Sequence, residues 1–119
     1  MEAQVYAGLC EDTELTAELA KGEDSIFHLQ APSDDSARYP AIVYAPISDV
    51  PTLEGDDIEL AHRVTIRLHI ITLDGQYSGI YRQINRVMQG LGFARRQTTP
   101  YVENGQKILI ADYIIGVDS

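Results

Sequence analysis

The 119-residue chain has no tryptophan, a single cysteine (Cys10) and only two lysines. A lone thiol closes no internal disulfide, so the fold has no covalent staple of its own and suits a reducing interior. No apolar run approaches the roughly 20 residues needed to cross a bilayer as a helix. The first ten residues place no basic residue ahead of an apolar stretch and run into acids, which is not the pattern of a secretory signal. Positive charge is scarce as well: nine Lys and Arg stand against 18 Asp and Glu, for a net charge of −9. The largest basic cluster is the pair Arg95-Arg96. That falls short of the basic face on which nucleic-acid binding rests, so no sequence-specific nucleic-acid partner is expected.

What is present is enough for one core. The apolar fraction is 45%, ordinary for a globular protein, and the length fits one domain spanning residues 1–119. The charge is divided unevenly. Residues 1–60 carry fourteen acids against Lys21 and Arg38, whereas residues 61–119 carry four acids against seven bases. Such a division lets an acidic surface of one copy meet a basic surface of another. It equally suits acids that solvate loops and a first helix.

The periodicity predicts a helix over 12–22, capped by Asp12 or Thr13, with Leu15 and Leu19 on one face and Gly22 as its stop. Ser25–Leu29 reads as a short strand and Ala31–Arg38 as a polar loop. Tyr39–Pro46 reads as a strand bracketed by prolines. Residues 47–59 contain Pro51, Gly55 and the acids Asp49, Glu54, Asp56, Asp57 and Glu59, without periodicity. They read as a long loop, a length uncommon in compact domains unless it serves a function. Leu60–Ile71 alternates: Val64, Ile66, Leu68 and Ile70 face one way, and Arg63, Thr65, Arg67 and His69 the other. From Ser78 the period becomes helical, with Ile80, Ile84, Val87, Met88 and Leu91 on one stripe and Arg82 and Arg86 off it. Phe93–Val102 and Gln106–Val117 read as a hairpin closed by Asn104-Gly105. The last of these strands is nearly all apolar, as expected of a strand that is central in the sheet, buried on both faces, or partly buried by another subunit. The expected class is α+β, a mostly antiparallel four- to five-stranded sheet with two helices packed on one face.

Chemistry-bearing patterns are sparse. His62 and His69 fall on opposite faces of one strand by parity, and His28 lies elsewhere, so no histidine-based metal site is expected. The acids of residues 49–59 lack calcium-loop spacing. Gly90 and Gly92 sit at a helix end rather than between a strand and a helix start, so they form no phosphate cradle. Cys10 has no neighbouring base in sequence. No catalytic residue, metal or cofactor is assigned. Seven tyrosines suit either strands or interfaces.

The order of motifs resembles that of the small tail-completion proteins of tailed bacteriophages. The resemblance is carried by Ile26-Phe27, a proline-containing loop, Tyr39-Pro40-Ala-Ile-Val-Tyr44, the polar segment with Asp56 and Asp57, and the strand Val64–Ile70. Tyr77, a helix ending in Leu91-Gly92-Phe93 and a closing hairpin complete it. It spans about Leu15 to Val117 and contains no catalytic signature. It implies a non-enzymatic virion assembly protein, a tail terminator or tail-completion subunit. Such a subunit forms a ring, commonly a hexamer, at the end of the tail tube and mediates head–tail joining. The partners implied are further copies of the chain, the tail-tube protein and the head–tail connector protein. The location implied is the tail or neck of a virion assembled in the bacterial cytoplasm, with no membrane. On that footing Asp49, Glu54, Asp56, Asp57 and Glu59 would contact a neighbouring subunit or the tube. Arg82, Arg86, Arg95 and Arg96 would meet acids on the next copy, as a closed head-to-tail ring requires. The alternative is a small acidic protein-binding module or adaptor unrelated to virions.

Overall fold

The computed structural model describes residues 2–29, 39–55 and 58–118. Helix α1 spans Glu2–Glu11 and helix α2 spans Thr13–Thr16. A 3-10 turn at Gly22–Ser25 leads into strand β1, Ile26–His28. Strands β2 (Ala41–Gly55) and β3 (Ile58–Thr72) follow, then helix α3 (Ser78–Gly90) and strands β4 (Ala94–Glu103) and β5 (Gln106–Asp118). The five strands form one sheet in the order β1-β2-β3-β5-β4. Every neighbouring pair is antiparallel except β1 with β2. The class is therefore α+β with a mostly antiparallel sheet, as expected from the sequence.

The helices cover one face. Val5 and Leu9 of α1, Leu15 and Leu19 around α2, and Ile80, Ile84 and Met88 of α3 pack on Ile42, Ile66, Leu68, Ile70, Leu109, Ala111 and Tyr113. The alternation expected in β3 holds, with Ile66, Leu68 and Ile70 fully buried on the helix side. α1 and α3 approach closely at Gly8, where an added Cβ would lie 3.2 Å from side-chain atoms of Val87 and Leu91. α3 ends where Gly92 takes φ +98 and the Phe93 amide donates to the Met88 carbonyl. This six-to-one bond satisfies a carbonyl that the last turn leaves open. A smaller cluster on the opposite face joins Val43, Ile71 and Ile108 with Phe27, Tyr39 and Ile110. β5 is thus packed on both faces, which accounts for its continuous apolar sequence.

Three local expectations are corrected. The helix predicted over 12–22 lasts one turn. Asp12 caps it by accepting from the Leu15 amide at 2.9 Å. The Glu18 and Leu19 amides then donate three residues back, and the Ala20 amide donates to the Pro40 carbonyl, tying the chain to the start of β2. A second correction is α1, which lies ahead of the predicted helix. Its apolar residues Val5, Tyr6, Ala7 and Leu9 form no clean stripe, and only Val5 and Leu9 are fully buried.

The third correction concerns residues 47–59. Apart from Asp56 and Asp57, which lie outside the described residues, they are strand and not loop. β2 continues through Pro46 and Pro51 to Gly55, paired with β3 from Ala41↔Ile71 to Gly55↔Ile58. Register shifts at Pro46/Ser48, Pro51/Leu53 and Leu53/Glu54 absorb the irregular residues. Prolines are tolerated there because β2 has no partner beyond Tyr44 on its outer side among the described residues. The top of β4, Ala94, pairs with Ile114. Above that level β2, β3 and β5 continue without β4 as a projecting arm, and the molecule measures 52 × 28 × 21 Å.

Candidate assembly surface

The charged residues singled out in the sequence divide into those used within the chain and those left outward. Arg86 on α3 pairs with Asp12 at 2.8 Å and Glu14 at 3.4 Å, and its Nε donates to Gln83 at 3.0 Å. It therefore ties α3 to the cap of α2. Arg95 on β4 donates to the Tyr81 hydroxyl of α3. Arg82 is exposed and has no ion pair or hydrogen bond among the described residues. Arg96 is exposed and occupies the bulge where the register shifts between Arg95 and Gln97. A bulge re-aims the side chain it carries and disrupts the ladder locally.

On the arm, Asp49 pairs across the hairpin with His62 Nδ1. Glu54 and Glu59 occupy paired positions near its end. The structure therefore brings Asp49, Glu54 and Glu59 onto one hairpin, well separated along the chain from Arg82 and Arg86 on α3.

The Arg86 pairing leads to a modest expectation. Arg86 keeps about half of its side chain in water (53% exposed), so Arg86→Ala should cost no more than about 1 kcal/mol. Arg82→Ala should cost nothing measurable. Urea unfolding of both variants checks this; a loss above 2 kcal/mol for Arg86→Ala would show that the seam is dry.

A second polar group lies on the helix-free face. Arg67 of β3 donates from Nε and a terminal nitrogen to both carboxylate oxygens of Asp112 on β5, at 2.8 and 3.0 Å. Gln97 of β4 donates to the same carboxylate at 3.0 Å. The three residues lie in one row, since Arg67 pairs with Asp112 and Asp112 with Gln97 in the register. The Arg67 hydrogen bond holds the Asp112 carboxyl below its ordinary range, against the opposing effect of burial. Neighbouring His69 is lowered mainly by burial and further by the Arg67 charge. On the helix side, the Tyr113 hydroxyl donates to Asn85, and burial pushes the phenol upward. The sequence reading missed Asp112; its signal was an acid in the middle of an otherwise apolar strand.

No ligand-sized pocket opens among the described residues, and no group of three His, Cys, Asp or Glu converges there. None of the described helices is long and apolar enough to cross a membrane. The outstanding surface is instead the sheet's margin. All ten residues of β4 are exposed, and the outer edge of β2 from Ala45 onward is unpaired among the described residues.

No protein-family model matches the chain, and no curated protein sequence does. Among solved structures, it is similar to a chain described as the virion of a native gene transfer agent (GTA) particle, with a TM-score of 0.67 and 13% identity. The alignment covers 100% of this chain and 95% of that one. At this identity the likeness is one of fold.

Proposed function

We infer that the chain is a non-enzymatic virion assembly subunit, a tail-completion or tail-terminator protein acting as one domain over residues 1–119. It assembles as a ring of identical copies at the end of a tail tube, in the tail or neck of a phage or prophage particle. There it contacts the tube protein on one side and the head–tail connector on the other. The observation that carries this reading is the fold likeness to a virion chain, which extends over 100% of this chain and 95% of that one. The motif order described above supports it independently. So does a surface whose main features, among the described residues, are unpaired strand edges and a projecting arm, the features of a subunit built to meet other subunits.

The test is the molar mass in solution, measured by light scattering across a concentration range, alone and with the tail-tube protein of the same particle. A species near six times the 13.2 kDa chain mass, or capping of tube ends, is the expected result. A strict monomer that ignores the tube protein would overturn the reading in favour of an adaptor.

A further inference from the structure

We propose that the free chain pairs with a second copy of itself across β4, strand against strand in antiparallel order about a two-fold axis centred on Thr99, so that Arg96 of each copy meets Glu103 of the other. This contact goes beyond the ring reading. A two-fold contact closes at two copies, so it belongs to the chain before it joins a particle.

β4 is the last strand of the sheet, separated from β2 by β5 and β3. Its inner side is engaged by β5 from Ala94 to Glu103. Its outer side has no partner strand among the described residues, and all ten of its residues are described and exposed. Two exposed large apolar side chains lie on it, Tyr101 at 37% and Val102 at 69%. An open edge of this kind is a template for another strand.

The charges of the strand choose its partner and direction. Arg95 and Arg96 stand near its start and Glu103 at its end. Arg95 donates to the Tyr81 hydroxyl, and Glu103 accepts from the Tyr101 hydroxyl. Both hydroxyls are neutral, so these charges stay uncompensated. Two copies in parallel order would set like charges together. Antiparallel order sets the arginine end of each against the acidic end of the other, and it is also the more stable ladder.

The faces agree as well. Gln97, Thr99, Tyr101 and Glu103 pair with Asp112, Ile110, Ile108 and Gln106, so they share the helix-free face. At the bulge Arg96 and Gln97 together oppose Asp112. The Arg96 charge helps to hold the Asp112 carboxyl down, which places Arg96 on that face too. A two-fold axis perpendicular to the sheet keeps the helix-free faces of both copies on one side.

Opposed residues share a face, so the register moves only in steps of two residues. Centring on Thr99 sets Gln97 opposite Tyr101 of the partner copy and Thr98 opposite its Pro100. Arg96 then lies diagonal to the partner copy's Glu103, within reach of a long side chain. Centring on Pro100 would bring together two residues that lack a donor. Centring on Thr98 would carry Glu103 past the start of the partner's strand. Pro100 and the bulge shorten the ladder open to an arbitrary strand, which leaves the matched ends to select a second copy.

Light scattering and hydrogen exchange on the full chain test the contact. The parent should approach twice the 13.2 kDa chain mass as concentration rises, with outward amides of 94–103 gaining protection. Arg96→Glu and Glu103→Arg should each weaken pairing by about tenfold or more, because the axis repeats each like-charge contact. An equimolar mixture of the two single variants should pair to within about threefold of the parent, since each offers the charge that the other lacks. Unfolding midpoints equal to the parent's show that the variants fold. Single variants without effect, a mixture no tighter than its components, or protection confined to other segments would overturn the β4 pairing. So would a parent that stays monomeric, or a six-copy species with β4 unprotected. Adding the tail-tube protein separates the two readings. A chain that caps tubes and never pairs through β4 overturns this contact alone. A chain that pairs through β4 and ignores the tube overturns the ring reading alone.

Discussion

Ile84→Asp leaves no folded protein at neutral pH. Ile84 is fully buried on the stripe that α3 presses onto the sheet, with Ile80 and Met88 to either side. Truncation to alanine alone costs about 2–5 kcal/mol, from lost transfer energy and the cavity left behind. A carboxylate at the same place adds the cost of an unpaired buried charge, several kcal/mol even after relaxation. The polar groups nearby offer no remedy, since Asn85 is engaged by Tyr113 and Arg86 by Asp12. The sum meets or exceeds the roughly 5–15 kcal/mol that holds a domain together.

Circular dichroism and hydrogen exchange give the readout, with Ile84→Ala as a folded but weakened control. The pH dependence has a definite sign. Burial raises the introduced carboxyl above its unfolded value near 4, so the folded form binds the proton more tightly. Folding is then least impaired below that value and is progressively lost as pH rises through the raised one. A native-like Ile84→Asp at pH 7 would mean that α3 buries a different face.

The parts of this fold written in local sequence were readable from it. β3 declared itself by strict alternation, and α3 by a stripe at helical spacing. The β4–β5 turn was marked by Asn104-Gly105, which take φ 51 and 78 as that turn requires. The arm was not readable, because an outer edge that is unpaired among the described residues relaxes the usual rules. Pro46 and Pro51 would argue against a central strand, and at an edge they only shift its register. α1 was missed because its two core residues, Val5 and Leu9, are diluted by half-exposed Gly8 and exposed Tyr6 and Ala7. Its helicity rests on packing against α3 more than on its own pattern.

The candidate interface shows the same division. The charges could be enumerated from sequence, but which of them are already spent could not. Arg86 is engaged by Asp12, 74 residues away, and Arg95 by Tyr81. Only the folded chain separates these from Arg82 and Arg96, which have neither an ion pair nor a hydrogen bond among the described residues. Asp112 finds Arg67 from 45 residues away and Gln97 from 15, spacings that no local rule reports.

Asp112→Ala should lower stability by about 2–3 kcal/mol. The carboxylate is almost completely buried, and Arg67 keeps about a third of its side chain in water (35% exposed). The expected loss therefore lies below the range for a fully buried pair, because the stranded guanidinium remains partly hydrated. Gln97 also loses its acceptor, which contributes to the loss. The acid limb of stability follows from the same contact. The Asp112 carboxyl is held below its usual value, chiefly by Arg67. Its contribution is fully present above pH 4 and is lost as pH falls through the lowered value. His69 acts in a higher window. Burial lowers it, so the folded chain resists the proton and stability declines as pH falls below about 6.5. Urea unfolding from pH 2 to 8 should show both limbs. Asp112→Asn should flatten the lower limb, and His69→Gln the upper. Unchanged lower limbs in Asp112→Asn would show that this row of the sheet gains nothing from ionisation, and that its carboxylate serves only as a hydrogen-bond acceptor joining β3, β5 and β4.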